Sequence, residues 1–107
     1  MSDLQEVWAG IRGYNKYQVS NLGRVLNVDT GYMLTPKAVS PKNGQLRVAL
    51  YINSIQKSFL VSRLVAQYFL PEFDEKKAIE YKDGDMTNLR VDNLKMSHKS
   101  ANRKSHD

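Results

Sequence analysis

Apolar and polar positions alternate most regularly from Gln45 to Tyr51, where Leu46, Val48 and Leu50 interleave with Arg47, Ala49 and Tyr51. A period of two gives a strand one apolar and one polar face. Asn53-Ser54 then turns the chain into a second run, Gln56 to Leu60, so this stretch reads as a hairpin. An earlier hairpin is predicted where Tyr17-Gln18-Val19-Ser20 and Arg24-Val25-Leu26-Asn27 flank Asn21-Leu22-Gly23, a segment with turn chemistry. Gly31 to Leu34 adds a strand before Pro36 and Pro41 break the pattern.

Near Phe59 the period lengthens. Leu60, Leu64, Val65, Tyr68 and Phe69 fall at helical spacing up to Pro71, with Ser62, Arg63 and Gln67 on the opposite face. A polar connection from Glu72 to Lys77 leads to a short strand, Ala78 to Lys82, and an Asp83-Gly84-Asp85 turn. A last helix is expected from Ser97, as N-cap, to about Lys104, with Lys99, Arg103 and Lys104 exposed. The fold class is α+β, strands first, without repeats or low-complexity segments.

The 107 residues, 41% apolar and 25% charged, suit one domain with one modest core. No run approaches the roughly 20 apolar residues of a membrane helix, and the amino terminus lacks signal-peptide order, so a soluble, intracellular protein is expected. The absence of cysteine excludes disulfides, thiol catalysis and sulfur-bound zinc, and two histidines do not make a histidine-rich site. Any metal must be held mostly by oxygen.

The net charge of +5 is unevenly spread. Residues 1–71 hold eight Lys/Arg against three Asp/Glu, residues 72–92 four against seven, and residues 93–107 four against one. An acidic island between basic flanks suits a cation site inside a phosphate-gripping surface, and equally suits a solvated acidic loop. Within the island, Asp83-Gly84-Asp85-Met86-Thr87-Asn88 lacks the ligand steps and closing glutamate of a calcium loop and reads as a tight turn. Trp8, Tyr14, Lys16, Tyr17, Arg24, Arg47 and Tyr51 mix aromatic and basic character suited to bases and phosphates, with Trp8 and Tyr17 assigned to the core.

Three C-terminal segments carry a resemblance: Ile79-Glu80-Tyr81-Lys82-Asp83-Gly84, Asn88-Leu89-Arg90-Val91-Asp92-Asn93-Leu94 and Ser97-His98-Lys99-Ser100-Ala101-Asn102-Arg103. Upstream, Glu6-Val7-Trp8, Gly13-Tyr14, Tyr17 to Val25 and Phe59 to Ala66 add to it. Over residues 6–103 the chain resembles phage-type HNH homing endonucleases, in which a NUMOD-like module precedes a ββα-metal finger. The resemblance implies one domain, 1–107: a β-rich module over 6–57, and a helix with the ββα finger over 58–104. It implies Glu80 and Asn102 as ligands of one Mg2+ or Mn2+ ion, Asn93 orienting the catalytic residue and finger loop, and His98 at an auxiliary helix position. Carboxylate and amide oxygens bind a hard cation while leaving room for water and phosphate.

The general-base position of that family, histidine, is Tyr81 here, and Ser62 stands where many relatives have histidine. A phenol, with a reference pKa of about 10, is mostly protonated at neutral pH and a poor base. Two functions follow: a metal-dependent DNA nuclease or nickase with an altered base, or a non-catalytic derivative that binds DNA or a host protein as a phage inhibitor or regulator. Both predict DNA contacts through the hairpin and the finger helix, with Arg24, Arg47, Lys57, Arg63, Lys99 and Arg103 neutralising phosphates. The expected location is the cytoplasm of a host cell. The sequence shows no dimer seam.

Overall fold

The computed structural model describes residues 4–38 and 44–100, the last three by backbone only. Strands β1 (Trp8–Ile11), β2 (Tyr14–Ser20), β3 (Val25–Asn27) and β4 (Tyr32–Met33) form an antiparallel sheet in chain order. A second antiparallel sheet follows from β5 (Lys37–Ala38), β6 (Leu46–Ile52) and β7 (Ile55–Leu60). Helix α1 (Val61–Phe69) begins at once, and β8 (Lys77–Tyr81) pairs with β9 (Leu94–Ser100) as a two-stranded ribbon, reached through a 3-10 turn over Val91–Asn93. No helix among the described residues is long and apolar enough to cross a membrane.

The β6–β7 hairpin follows its alternation. Val48 and Leu50 are buried, and the turn at Asn53 and Ser54 has φ of 52° and 67°. Positive φ at both central residues is the two-residue turn whose twist matches antiparallel strands. Two strands escape the pattern. Gly10 interrupts the apolar signal of β1, and β5 is a two-residue edge strand directly after Pro36.

One apolar cluster joins all parts: Ile11, Tyr17, Val19 and Val25 from the first sheet, Val48 and Leu50 from the second, Val61, Leu64 and Val65 from α1, and Leu89 and Leu94 from the C-terminal segment. Tyr17 is buried as expected, whereas Trp8 is half-buried beneath the Arg24 guanidinium, 5.7 Å from its ring centre. Ser62, expected on the solvated helix face, is only 1% exposed, because that face of α1 is covered near β8.

The helix expected from Ser97 is corrected in its described part. Residues 97–100 continue β9, and Ser97 is a buried strand residue rather than an N-cap. Cross-strand pairing of Leu94 with Tyr81 and Met96 with Ile79 extends the strand through the polar run Ser97-His98-Lys99-Ser100, which carries no alternation of its own. His98 accordingly lies on a strand, not on a helix. Residues 101–104 of that expected helix lie outside the described residues.

The turn between β2 and β3 ties the N-terminal sheet to the C-terminal segment. Ser20 Oγ accepts hydrogen bonds from the Leu22 and Arg24 amides, and Asn21 bonds Gln5 and Val7 through its side chain. The Asn21 carbonyl then accepts the Val91 amide at 2.8 Å, and Leu89 lies over Gly23. Gly23 has φ of 92°, and a Cβ there would stand 2.4 Å from Leu89 Cβ. Both the backbone angle and the contact require glycine. Gly23→Ala should therefore cost about 2–5 kcal/mol in denaturant unfolding, as left-handed strain and overpacking add. Gly31→Ala, with φ of 74° but open space around it, should cost only about 1 kcal/mol.

Candidate functional site

The loop between β8 and the 3-10 turn is organised by two side chains. Asn93, buried, accepts the Asp83 amide on Oδ1 at 3.1 Å and donates through Nδ2 to Asp83 Oδ1 and the Asn88 carbonyl, each at 3.0 Å. Asp83 also accepts the Asp85 amide at 2.8 Å and the Asn88 side-chain amide at 2.9 Å. The Asn88 side chain, the Asp85 amide and Asn93 hold the Asp83 carboxyl below the usual carboxylate range. Its oxygens are thus occupied in shaping a turn, as the Asp-Gly pair suggested. The signal for Asp83 as a loop organiser was the turn chemistry of Asp83-Gly84-Asp85.

Tyr81 ends β8, half-buried, and its phenol donates to Gln45 Oε1 at 3.1 Å. Burial raises its pKa above the ordinary tyrosine value, and the nearby Ser62 hydroxyl offsets this only in part. Ser62 Oγ itself is buried without a partner at normal hydrogen-bond geometry. Tyr81 therefore stands as a neutral donor at neutral pH. Gln45, adjacent to β6, had no signal in the sequence for this role.

Glu80, the neighbour of Tyr81, points to solvent and faces Lys95 across the ribbon, with Oε1 3.6 Å from Nζ. No group of three or more histidine, aspartate or glutamate side chains that could hold a metal exists among the described residues. An exposed carboxylate is the hard oxygen donor that a magnesium-like ion takes, so the described part of the expected ligand pair fits such an ion, with Lys95 competing for the same oxygens. Asn102 lies outside the described residues.

The six cations expected at phosphates divide in use. Arg24 forms a bidentate pair with Glu6, Nε to Oε2 at 2.8 Å, which lowers the Glu6 pKa. Arg63 donates to the carbonyls of Lys77 and Glu75, at 3.1 and 2.8 Å, and stacks on Phe73. Both are built into the fold. Arg47 instead lines an open groove of about 520 Å3 with Lys37, Ala49, Gln56 and Ser58, and borders a second one shared with Arg63 and Gln67. Lys57 is exposed beside Phe59. The Lys99 side chain and Arg103 lie outside the described residues. Lys37, between two prolines, escaped the sequence reading as a member of this surface.

Comparison with known proteins adds to this geometry. Residues 6–51 match the NUMOD4 motif, and residues 59–104 match an HNH endonuclease family model. DNA endonuclease I-HmuI of Bacillus phage SP01 is 38% identical over 89 residues, covering 82% of this chain and 50% of that protein. An uncharacterized HNH endonuclease of Acanthamoeba polyphaga mimivirus is 30% identical over 95 residues, 89% of this chain and 28% of the relative. In structure, the chain is similar to the HNH homing endonuclease I-HmuI, described for DNA binding and cleavage, with a TM-score of 0.78 and 36% identity over 85% of this chain and 52% of that one. The chain thus spans half or less of the length of these curated relatives.

Asn93→Ala removes three hydrogen bonds and leaves the Asp83 amide without its partner, which should cost about 2–3 kcal/mol in denaturant unfolding. Because the folded Asp83 pKa is depressed, its contribution is complete above the ordinary carboxylate range and is lost as pH falls through the lower folded value. Asp83→Asn should flatten that part of the acid limb in melts taken from neutral to acid pH, leaving the part due to Glu6.

Proposed function

Since the chain belongs to the HNH homing endonuclease family, in sequence and in fold, we propose that it binds duplex DNA and nicks it slowly with a divalent ion. The observation that carries nicking is the exposed Glu80 carboxylate on the strand whose end Asn93 fixes, and what slows it is the Tyr81 phenol, a hydrogen-bond donor to Gln45 at the base position. A divalent metal is typical of HNH enzymes; here Mg2+ or Mn2+ would be held by Glu80 and Asn102. When bound, the ion supplies positive charge against the phosphate oxygens.

The chain's own residues do the rest. Asn93 fixes the loop that follows Tyr81, and thereby the end of the strand that carries Glu80. Tyr81, already donating, takes no proton from an attacking water, so that proton passes to solvent hydroxide. Loss of a positioned general base lowers such a rate by about 10²–10⁴. Ser62, small and buried beside the phenol, brings a hydroxyl rather than an imidazole to that position.

The binding surface runs over the β5–β7 sheet and the start of α1. From residue 30 to residue 71 there is no Asp or Glu, while Lys37, Lys42, Arg47, Lys57 and Arg63 fall within the stretch. Arg47 and Lys57 are the members of the expected phosphate set best free to reach DNA, joined by Lys37, while Lys99 and Arg103 would extend the contact. We take residues 6–57 and 58–104 to act as one domain, because their apolar residues share one cluster. A second reading, binding to DNA or a host protein without cleavage, is favoured by the same Tyr81–Gln45 bond.

Nicking of supercoiled plasmid with Mg2+ or Mn2+ tests the proposal. Tyr81→His should nick about a hundredfold faster than wild type, and Asn102→Ala in that background should abolish the gain. Equal rates for wild type and Tyr81→His would overturn the role of the phenol. If neither form nicks while both bind DNA, the binding-only reading stands. Affinity measured against salt should fall steeply, and Arg47→Ala should reduce the log–log slope by about 1.

A further inference from the structure

The β6–β7 hairpin ends in apolar side chains that the fold does not cover. Tyr51, Ile52 and Ile55 are 50%, 43% and 67% exposed. Ile52 and Ile55 are directly opposite each other and close the Asn53-Ser54 turn. By strand alternation they share a face with Lys57, which pairs across from Leu50, whereas Tyr51 and Gln56 lie on the other face and bond to each other at 3.0 Å. The root of the hairpin is fixed, because the Tyr51 amide donates to the Tyr17 hydroxyl. Lys16 and Asn15 of the β1–β2 turn line a small cleft beside Ile52, and Lys16 is only loosely paired with Asp29, at 3.9 Å. An isoleucine pair is thus presented on a rigid tip between two lysines.

We infer that this tip enters the major groove of duplex DNA and that Ile52 and Ile55 recognise the 5-methyl groups of thymine. The inference rests on the DNA-binding reading above. Charge selects the occupant, since the acid-free stretch 30–71 contains the whole hairpin. Size suits the major groove, about 12 Å wide, which takes a two-stranded ribbon with strands about 4.8 Å apart without deformation, whereas the minor groove, about 6 Å wide, must be opened. Chemistry selects the feature. Isoleucine offers no hydrogen bond to a base edge, and the thymine methyl is the apolar group that the major groove displays.

The test compares a duplex of alternating adenine and thymine with the same duplex carrying uracil for thymine, by fluorescence anisotropy at one salt concentration. Wild type should bind the thymine duplex about fourfold more tightly per methyl group contacted, the transfer value of one buried methylene. Ile52→Ser/Ile55→Ser removes every methyl group from the tip and should bind both duplexes equally, with circular dichroism as the control for folding. Ile55→Ser alone, at the more exposed position, carries the comparison if the double variant is unstable. Equal binding of both duplexes by wild type overturns methyl recognition and leaves DNA binding in place, whereas binding to neither overturns both. A thymine preference that survives the double substitution overturns the assignment to this tip. Self-association of wild type that the substitutions abolish, seen by sedimentation, makes the tip a protein contact and overturns the inference.

Discussion

The contact of the β2–β3 turn with the segment 89–91 is the constraint on which the rest of the molecule depends. A two-stranded ribbon buries too little surface to persist alone. Here β8 and β9 are held because Leu89 sits on Gly23, the Val91 amide is taken by the Asn21 carbonyl, and Leu94 enters the common core. Ser20 and Asn21 spend their side chains on shaping that turn. The run Ser20 to Val25 therefore has a mechanical role: it is the seat for the segment 89–91.

From that seat the chemistry follows outward. Asn93, at the far side of the seated segment, binds Asp83 and Asn88 and so fixes where β8 ends. At that end Glu80 faces solvent and Tyr81 faces inward, to Gln45 and Ser62. The same alternation that suits a metal ligand at Glu80 puts the following side chain against the body of the protein. A phenol there is partly withdrawn from water and has gained an acceptor, and both changes keep its proton in place. In the proposed reaction the scaffold is retained and the proton acceptor is not.

Much of this was legible in the chain. Val48, Leu50 and their polar partners marked β6, and Leu64, Val65, Tyr68 and Phe69 marked α1, because each element buries one face and the pattern is long enough to show its period. The motif segments marked Asn93, whose hydrogen bonds fix the loop. Illegible were the contacts made between distant segments: Gln45 with Tyr81, Arg63 with the 75–77 carbonyls, and the burial of Ser62, none of which local spacing encodes. A helix was expected from Ser97 because Ser97-His98 resembles a cap, while the strand pairing that holds residues 97–100 in β9 comes from Ile79 and Lys77. Nor did the charges of Arg24 and Arg63 in the sequence reveal the carboxylate and the carbonyls that they meet in the fold.

The central claim is that cleavage, where it occurs, proceeds without a protein base at Tyr81. The dependence of the metal-supported nicking rate on pH addresses it most directly. With solvent hydroxide taking the proton, the logarithm of the wild-type rate should rise with a slope of one from about pH 6 to about pH 9, without levelling off. A plateau beginning near the imidazole range, at roughly pH 6.5–7, would show a titrating base at work in the site and contradict the account.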